Sequence, residues 1–180
     1  MDDPLSKPTA VHGLSVSADR DVQIASLRYF DSAGGFAAAV REAVGRPLPE
    51  PLHALKVGSA MQGPYAILAW RSPTETLLLT NDRAAFDELE RQLAAAADGC
   101  MVNQTGGICV LRVQGLKAGD LLVRLGASTA IPNLGEARSG RLAELQVLTA
   151  CVHAGEYLLL VERVYANHLL EWINATAADL

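Results

Sequence analysis

Pro64-Tyr-Ala-Ile-Leu-Ala-Trp-Arg-Ser-Pro-Thr-Glu-Thr-Leu-Leu-Leu-Thr80 leads into a helical run that ends Phe86-Asp-Glu-Leu-Glu-Arg-Gln-Leu93. Near the end of the chain, Leu145-Gln-Val-Leu-Thr-Ala-Cys-Val-His-Ala-Gly-Glu-Tyr-Leu-Leu-Leu-Val161 leads into Leu169-Leu-Glu-Trp-Ile173. Glu156 stands 81 residues after Glu75, and at that offset Leu77, Leu78 and Leu79 fall on Leu158, Leu159 and Leu160. Leu89 and Glu90 fall on Leu170 and Glu171. The order strand, tight turn, strand, helix is kept with the same punctuation, which is the mark of an internal repeat.

The repeat extends outward from both hairpins. Before the first, Val11–Ser17 and Val22–Phe30 alternate as strands. Asp31 or Ser32 can then cap a helix to Val44, and Gly45 suits the left-handed residue after it. Gly45-Arg-Pro-Leu-Pro-Glu-Pro-Leu52 is an extended connector, because its prolines fix φ and lack amide donors. A short strand over His53–Val57 precedes the hairpin, whose turn is Arg71-Ser-Pro-Thr74, and Asn81 or Asp82 can cap the following helix. Before the second hairpin, Cys100–Gln104 and Ile108–Val113 read as strands around Thr105-Gly-Gly107. A short helix with Ala118, Leu121, Leu122 and Leu125 follows, then a loop over 126–140. Leu142–His153 and Glu156–Val161 form the second hairpin, and Val164–Ala177 the last helix. The expectation is an α+β protein of two strand-strand-helix-strand-strand-strand-helix halves with antiparallel sheets. The halves are 10–98 and 99–180, after a disordered segment 1–9. Each is small enough to be marginal alone, which favours one compact domain with a shared core.

Composition narrows the partners. A hydrophobic share of 50% is ample for an interior. A net charge of −5, a pI near 5.3 and 5% aromatic residues argue against nucleic acid and against an anionic membrane surface. No apolar run approaches the roughly 20 residues that span a bilayer. The acidic opening Met1-Asp-Asp-Pro-Leu-Ser-Lys does not read as a secretory signal. Three cysteines without framework spacing suit a cytoplasmic protein.

No chemical motif emerges. His12, His53, His153 and His168 are scattered, and Cys100, Cys109 and Cys151 form no Cys-x-x-Cys, so no metal site is expected. Thr105-Gly106-Gly107 lacks the lysine and helix of a phosphate loop and reads as a turn. Gly34-Gly35 at a helix start is an equally weak anion site. Ser139-Gly140 lacks the context of a nucleophile elbow, and Cys109 sits mid-strand as an inert buried thiol. Glu75 and Glu156 occupy equivalent turn positions, where solvation accounts for both, and no catalytic residue is assigned. Trp70 and Trp172 read either as core residues or as anchors for a protein partner.

Asn103-Gln-Thr-Gly-Gly-Ile-Cys-Val-Leu-Arg-Val-Gln-Gly115 resembles the D-x-S-x-x-x-x-x-x-x-x-G segment that opens the folate-binding fold of glycine-cleavage T proteins. It is most similar to the version in the gamma subunit of heterotetrameric sarcosine oxidase. Ala69-Trp-Arg-Ser-Pro-Thr-Glu-Thr-Leu-Leu-Leu79 resembles that subunit's L-x-P-x-E-W-L-L-L hairpin, with Thr76 in place of tryptophan. The resemblance covers residues 20 to 175. It implies a duplicated fold whose halves exchange their first strands. It also implies a setting: an enzyme that demethylates sarcosine to glycine, passes the one-carbon unit to tetrahydrofolate and reduces oxygen to peroxide. FAD, FMN, NAD, zinc and tetrahydrofolate would belong to partner subunits, larger flavoproteins against which a noncatalytic gamma subunit packs. Asn103 replaces the related aspartate, and no Gly-Gly-x-x-Asp-Asp segment follows the hairpin, so the carboxylate that helps hold folate in T proteins has no counterpart. The alternative is a stand-alone folate-binding aminomethyltransferase-like protein.

Overall fold

The computed structural model describes residues 9–11, 13–58, 63–127 and 131–180. The expected disordered segment 1–9 therefore lies outside the described residues up to residue 8, as does His12, while Thr9 opens the first strand. In chain order the elements are β1 (Thr9–Val11), β2 (Leu14–Asp19), β3 (Gln23–Tyr29), α1 (Gly35–Val44), β4 (Ala54–Gly58), β5 (Tyr65–Ser72), β6 (Glu75–Thr80) and α2 (Arg83–Leu93). Then come β7 (Gly99–Asn103), β8 (Ile108–Gly115), α3 (Ala118–Leu122), β9 (Glu136–Leu142), β10 (Leu145–His153), β11 (Glu156–Glu162) and α4 (Ala166–Ala178).

Two antiparallel sheets form. One has the order β1-β2-β8-β11-β10-β9, the other β4-β5-β6-β3-β7. The expected exchange of first strands is present. β2 pairs with β8 through Val16 and Val113, and β7 pairs with β3 through Met101 and Leu27. Asp21–Thr105 consequently make one contact unit, and the chain before and after it makes the other.

The duplicated hairpins agree in detail. β5 meets β6 with a register shift between Trp70 and Ser72, and β10 meets β11 with one between Cys151 and His153, each 81 residues on. A bulge that recurs at a fixed offset is inherited geometry, because bulges bend the strand and set its twist. The strands run further into the first turn than expected, leaving Pro73 and Thr74 at its tip.

Each sheet packs helices on one face. In the 21–105 unit, Phe36, Val40, Phe86, Leu89 and Leu93 of α1 and α2 cover Ala25, Leu27, Leu68 and Leu78. Apolar residues at three- and four-residue spacing put these side chains on one helical stripe. Burying each of them removes apolar surface from water, worth about 1.5–3 kcal/mol per large side chain. Tyr29 shares this buried face, and its hydroxyl meets Thr76 Oγ1 at 3.0 Å, so the polar end is satisfied. In the other unit, Leu121 and Leu122 of α3 and Leu169 and Ile173 of α4 cover Leu111, Val113, Leu159 and Val161.

Three local expectations need correction. The loop over 126–140 ends early, because β9 occupies Glu136–Leu142. This edge strand buries only Ala137 and Leu142, so it lacks the apolar alternation that announces a strand. The cap of α1 is not supplied by Asp31 or Ser32: Asp31 Oδ1 accepts from Ala33 N in a local turn, and Gly34 is the N-cap residue. Glu75 and Glu156 are not solvated turn residues; their side chains are 16% and 14% exposed. The other caps fall where expected. Asp82 accepts from Ala85 N at 3.0 Å, and Gly45 has φ of 76°.

Candidate functional site

The repeated carboxylates are the most chemically loaded positions. Glu75 opens β6 opposite Arg28 on β3. Ser26 Oγ donates to its Oε1, Arg71 Nη1 approaches to 3.3 Å and Arg28 Nε to 3.8 Å. Glu156 opens β11 opposite Gln114, whose Nε2 donates to Oε2 at 2.9 Å, while Arg112 Nη1 donates to Oε1. Arg112 also binds Asp19, through Nε at 3.2 Å and Nη2 at 2.5 Å. The two copies thus share a plan: a mostly covered carboxylate held by a guanidinium and a neutral donor from the neighbouring strand. Such charge-assisted bonds fix the strand ends. The Asp19–Arg112 pair serves the exchanged strand, tying β2 to β8.

The start of α1 is filled from within. Asp98 Oδ1 accepts from Phe36 N at 2.8 Å, and a Cβ on Gly34 would collide with Asp98 Oδ2. The negative charge that a helix start attracts is thus supplied by the chain itself. The loop at Thr105 is also in structural use. Thr105 Oγ1 accepts from Ile24 N at 2.9 Å, and Asn103 Oδ1 accepts from Thr105 N at 2.9 Å. Asn103 therefore shapes a turn, and Gly106 completes it with φ of 86°. Among the described residues, no group of three or more His, Cys, Asp or Glu side chains could hold a metal ion. Cys109 and Cys151 are buried, and burial, followed by the charge of Glu156, pushes the Cys151 thiol up.

Two of the hollows on the 21–105 unit differ in character. One, of about 210 Å³, is apolar and lined by Val44, Val57, Tyr65, Leu78 and Phe86. The other, of about 460 Å³, is lined by Arg28, Phe30, Thr74, Glu75, Gly99 and Cys100. The tryptophans fall in different units. Trp70 is partly buried in β5, and its amide donates to His53 O at 3.0 Å. Trp172 lies on the outer side of α4, 51% exposed, its ring 6.4 Å from that of His168. Val164 and Tyr165, just before the helix, are exposed as well. Of the two readings the sequence left open for Trp172, this exposure removes the core one, although the neighbouring Ile173 is buried. No described helix is long and apolar enough to cross a membrane.

Two sheets that trade first strands, with helices on one face of each, define the class of fold shared by glycine-cleavage T proteins and sarcosine oxidase subunits. Heterotetrameric sarcosine oxidase from Corynebacterium sp. U-96, solved with pyrrole 2-carboxylate, contains a chain that matches with a TM-score of 0.78 at 19% identity, covering 95% of this chain and 87% of that one. The glycine cleavage aminomethyltransferase T of Bartonella henselae matches with a TM-score of 0.64 at 16% identity, over 89% of this chain and 45% of that one. The ligand-free regulatory subunit of aspartate kinase from Thermus thermophilus is more distant, with a TM-score of 0.50 at 16% identity, over 93% and 99%. Comparison with curated proteins finds no match. The family model for the sarcosine oxidase gamma subunit matches residues 30–179. The chain belongs to the sarcosine oxidase gamma subunit family.

Proposed function

We propose that this chain is the noncatalytic gamma-type subunit of a heterotetrameric sarcosine oxidase. That assembly would oxidatively demethylate sarcosine to glycine and transfer the one-carbon unit to tetrahydrofolate. On this reading FAD, FMN, NAD, zinc and tetrahydrofolate are held by larger flavoprotein subunits, and the chain acts in the cytoplasm as their packing partner. Family membership over residues 30–179 carries the reading. The use of polar groups supports it: Glu75, Glu156, Asp98 and Asn103 all bond to the chain's own strands, turns and helix start. Trp172 and Trp70 are the proposed partner contacts, since buried aromatic anchors dominate protein interfaces.

Co-expression with the flavoprotein subunits of such an oxidase tests this. The expected result is a stable complex that co-elutes through size exclusion; elution of the chain alone would overturn the reading. Titration of the isolated chain with tetrahydrofolate should give no shift in melting temperature. A saturable shift would move the assignment to a folate-binding aminomethyltransferase-like protein.

A further inference from the structure

β7 is an outer strand of its sheet, and its backbone directions can be derived. Phe30 N donates to Asp98 O at 3.2 Å, and Gln104 N donates to Ile24 O at 2.8 Å. Bonded and non-bonded pairs alternate along an antiparallel ladder. Cys100 and Val102 therefore turn their backbone groups toward β3, and Gly99, Met101 and Asn103 turn theirs away from it. Among the described residues no strand pairs with that outer side. The other edges carry the usual protection. β4 has Lys56, β9 has Glu136, Arg138 and Arg141, and β1 is only 3 residues long. β7, Gly99-Cys-Met-Val-Asn103, has neither charge nor proline.

The 460 Å³ hollow lies beside this edge. Phe30 stands in it 90% exposed. The Arg28 side chain is 59% exposed and reaches Glu75 only at 3.8 Å, while Ser26 and Arg71 lie nearer that carboxylate. Arg28 pairs across the ladder with Cys100, so the two share a face. Cys100 is small, so a side chain from a strand beyond β7 could pass over it toward the guanidinium. That gap is two strand spacings, about 9.5 Å, within the joint reach of arginine and glutamate.

We infer that β7 receives an extended segment of a partner subunit, which adds as a sixth strand. The segment sets an acidic side chain against Arg28 and an apolar one against Phe30. Strand addition takes its affinity from main-chain bonds and its specificity from such side-chain pockets. A second copy of this chain fits poorly. Its own β7 offers no carboxylate, and neighbouring Asp98 is engaged by Phe36 N. The inference rests on the subunit reading and names one surface through which it would work.

Residue-resolved hydrogen exchange on the co-expressed complex, compared with the free chain, tests it. The amides of Gly99, Met101 and Asn103 should slow by about tenfold or more, while those of Cys100 and Val102, already in the ladder, change little. Met101→Pro and Arg28→Glu should each weaken the complex by at least about tenfold, and Met101→Leu should not. Urea unfolding of each free variant separates weakened binding from lost folding. An intact complex with unchanged or uniform exchange along β7 would overturn the inference and leave the subunit reading standing. Alternating protection in a homodimer of the free chain would overturn it in favour of a second copy. If the wild-type chain forms no complex at all, both readings fall.

Discussion

Ala143 and Glu144 make the turn between β9 and β10 with φ of 47° and 66°. Positive φ costs an L-residue roughly 1–2 kcal/mol, and glycine adopts it without that strain. The Glu144 side chain is 90% exposed and its ion pair with Arg141 is a surface pair of little worth. Glu144→Gly should therefore stabilise the protein by roughly 0.5–1 kcal/mol after the entropic cost of glycine, read from the urea midpoint. Glu136 carries a pH prediction. Arg138 Nε at 2.9 Å, followed by the Asn133 amide at 3.0 Å, lowers its carboxyl to about 2 from an ordinary 4.5. A depressed folded-state value stabilises the protein above the unfolded value and is lost as pH falls toward the folded one. Between pH 4.5 and 2, wild type should thus lose stability that Glu136→Gln lacks throughout, so the two curves converge near pH 2. Parallel curves across that window would show that the pairing has no influence on folding. Neither feature was readable in advance, because a turn's handedness and an ion pair depend on strands the sequence had not placed. Asp98 is the plainest case. It accepts from the amide of Phe36, 62 residues earlier in the first turn of α1, and no local rule points there.

Elements were legible in proportion to how fully they are buried. β6 and β11 carry Leu-Leu-Leu because both faces of each strand are covered, and that run disclosed the duplication. β9 is an edge strand with Glu136, Arg138, Gly140 and Arg141, and the charges that protect an edge also hide it from a reading by periodicity. α4 falls within two residues of the helix expected over Val164–Ala177, and its outer side decides between the two readings of Trp172. Leu169, Leu170 and Ile173 fill the core stripe, while Trp172 with His168 lies on the exposed flank. The two tryptophans should accordingly separate. Trp172→Ala should shift the unfolding midpoint little and weaken assembly with a flavoprotein partner by about 2 kcal/mol or more, measured by calorimetric titration. Trp70→Ala, removing a partly buried ring from β5, should lower stability by about 2 kcal/mol or more before any effect on assembly is read. If Trp172→Ala binds as wild type does, the outer side of α4 is no interface.

At the scale of the whole molecule, the boundary suggested by the repeat and the boundary drawn by strand pairing are different cuts. The repeat divides the chain near residue 98, whereas pairing gathers Asp21–Thr105 into one unit. A fragment spanning 10–98 would lack β7 and carry β2 without β8. A fragment spanning 21–105 keeps all five strands of its sheet. The second should show cooperative unfolding and dispersed amide resonances, the first a lower midpoint or none. The reverse order would mean that the exchanged strands contribute little to either sheet. The exchange itself came from the resemblance and not from periodicity, because alternation identifies a strand without naming its partner. It also sets a schedule for the newborn chain. Asp19 leaves the ribosome 93 residues before Arg112, the arginine that holds it. At about 5–20 residues per second, the opening hairpin waits roughly 5–20 seconds for its sheet, while the segment between completes first. β2, Leu14-Ser-Val-Ser-Ala-Asp19, alternates its two large apolar residues with serines, so only one side of the strand lacks cover during that wait.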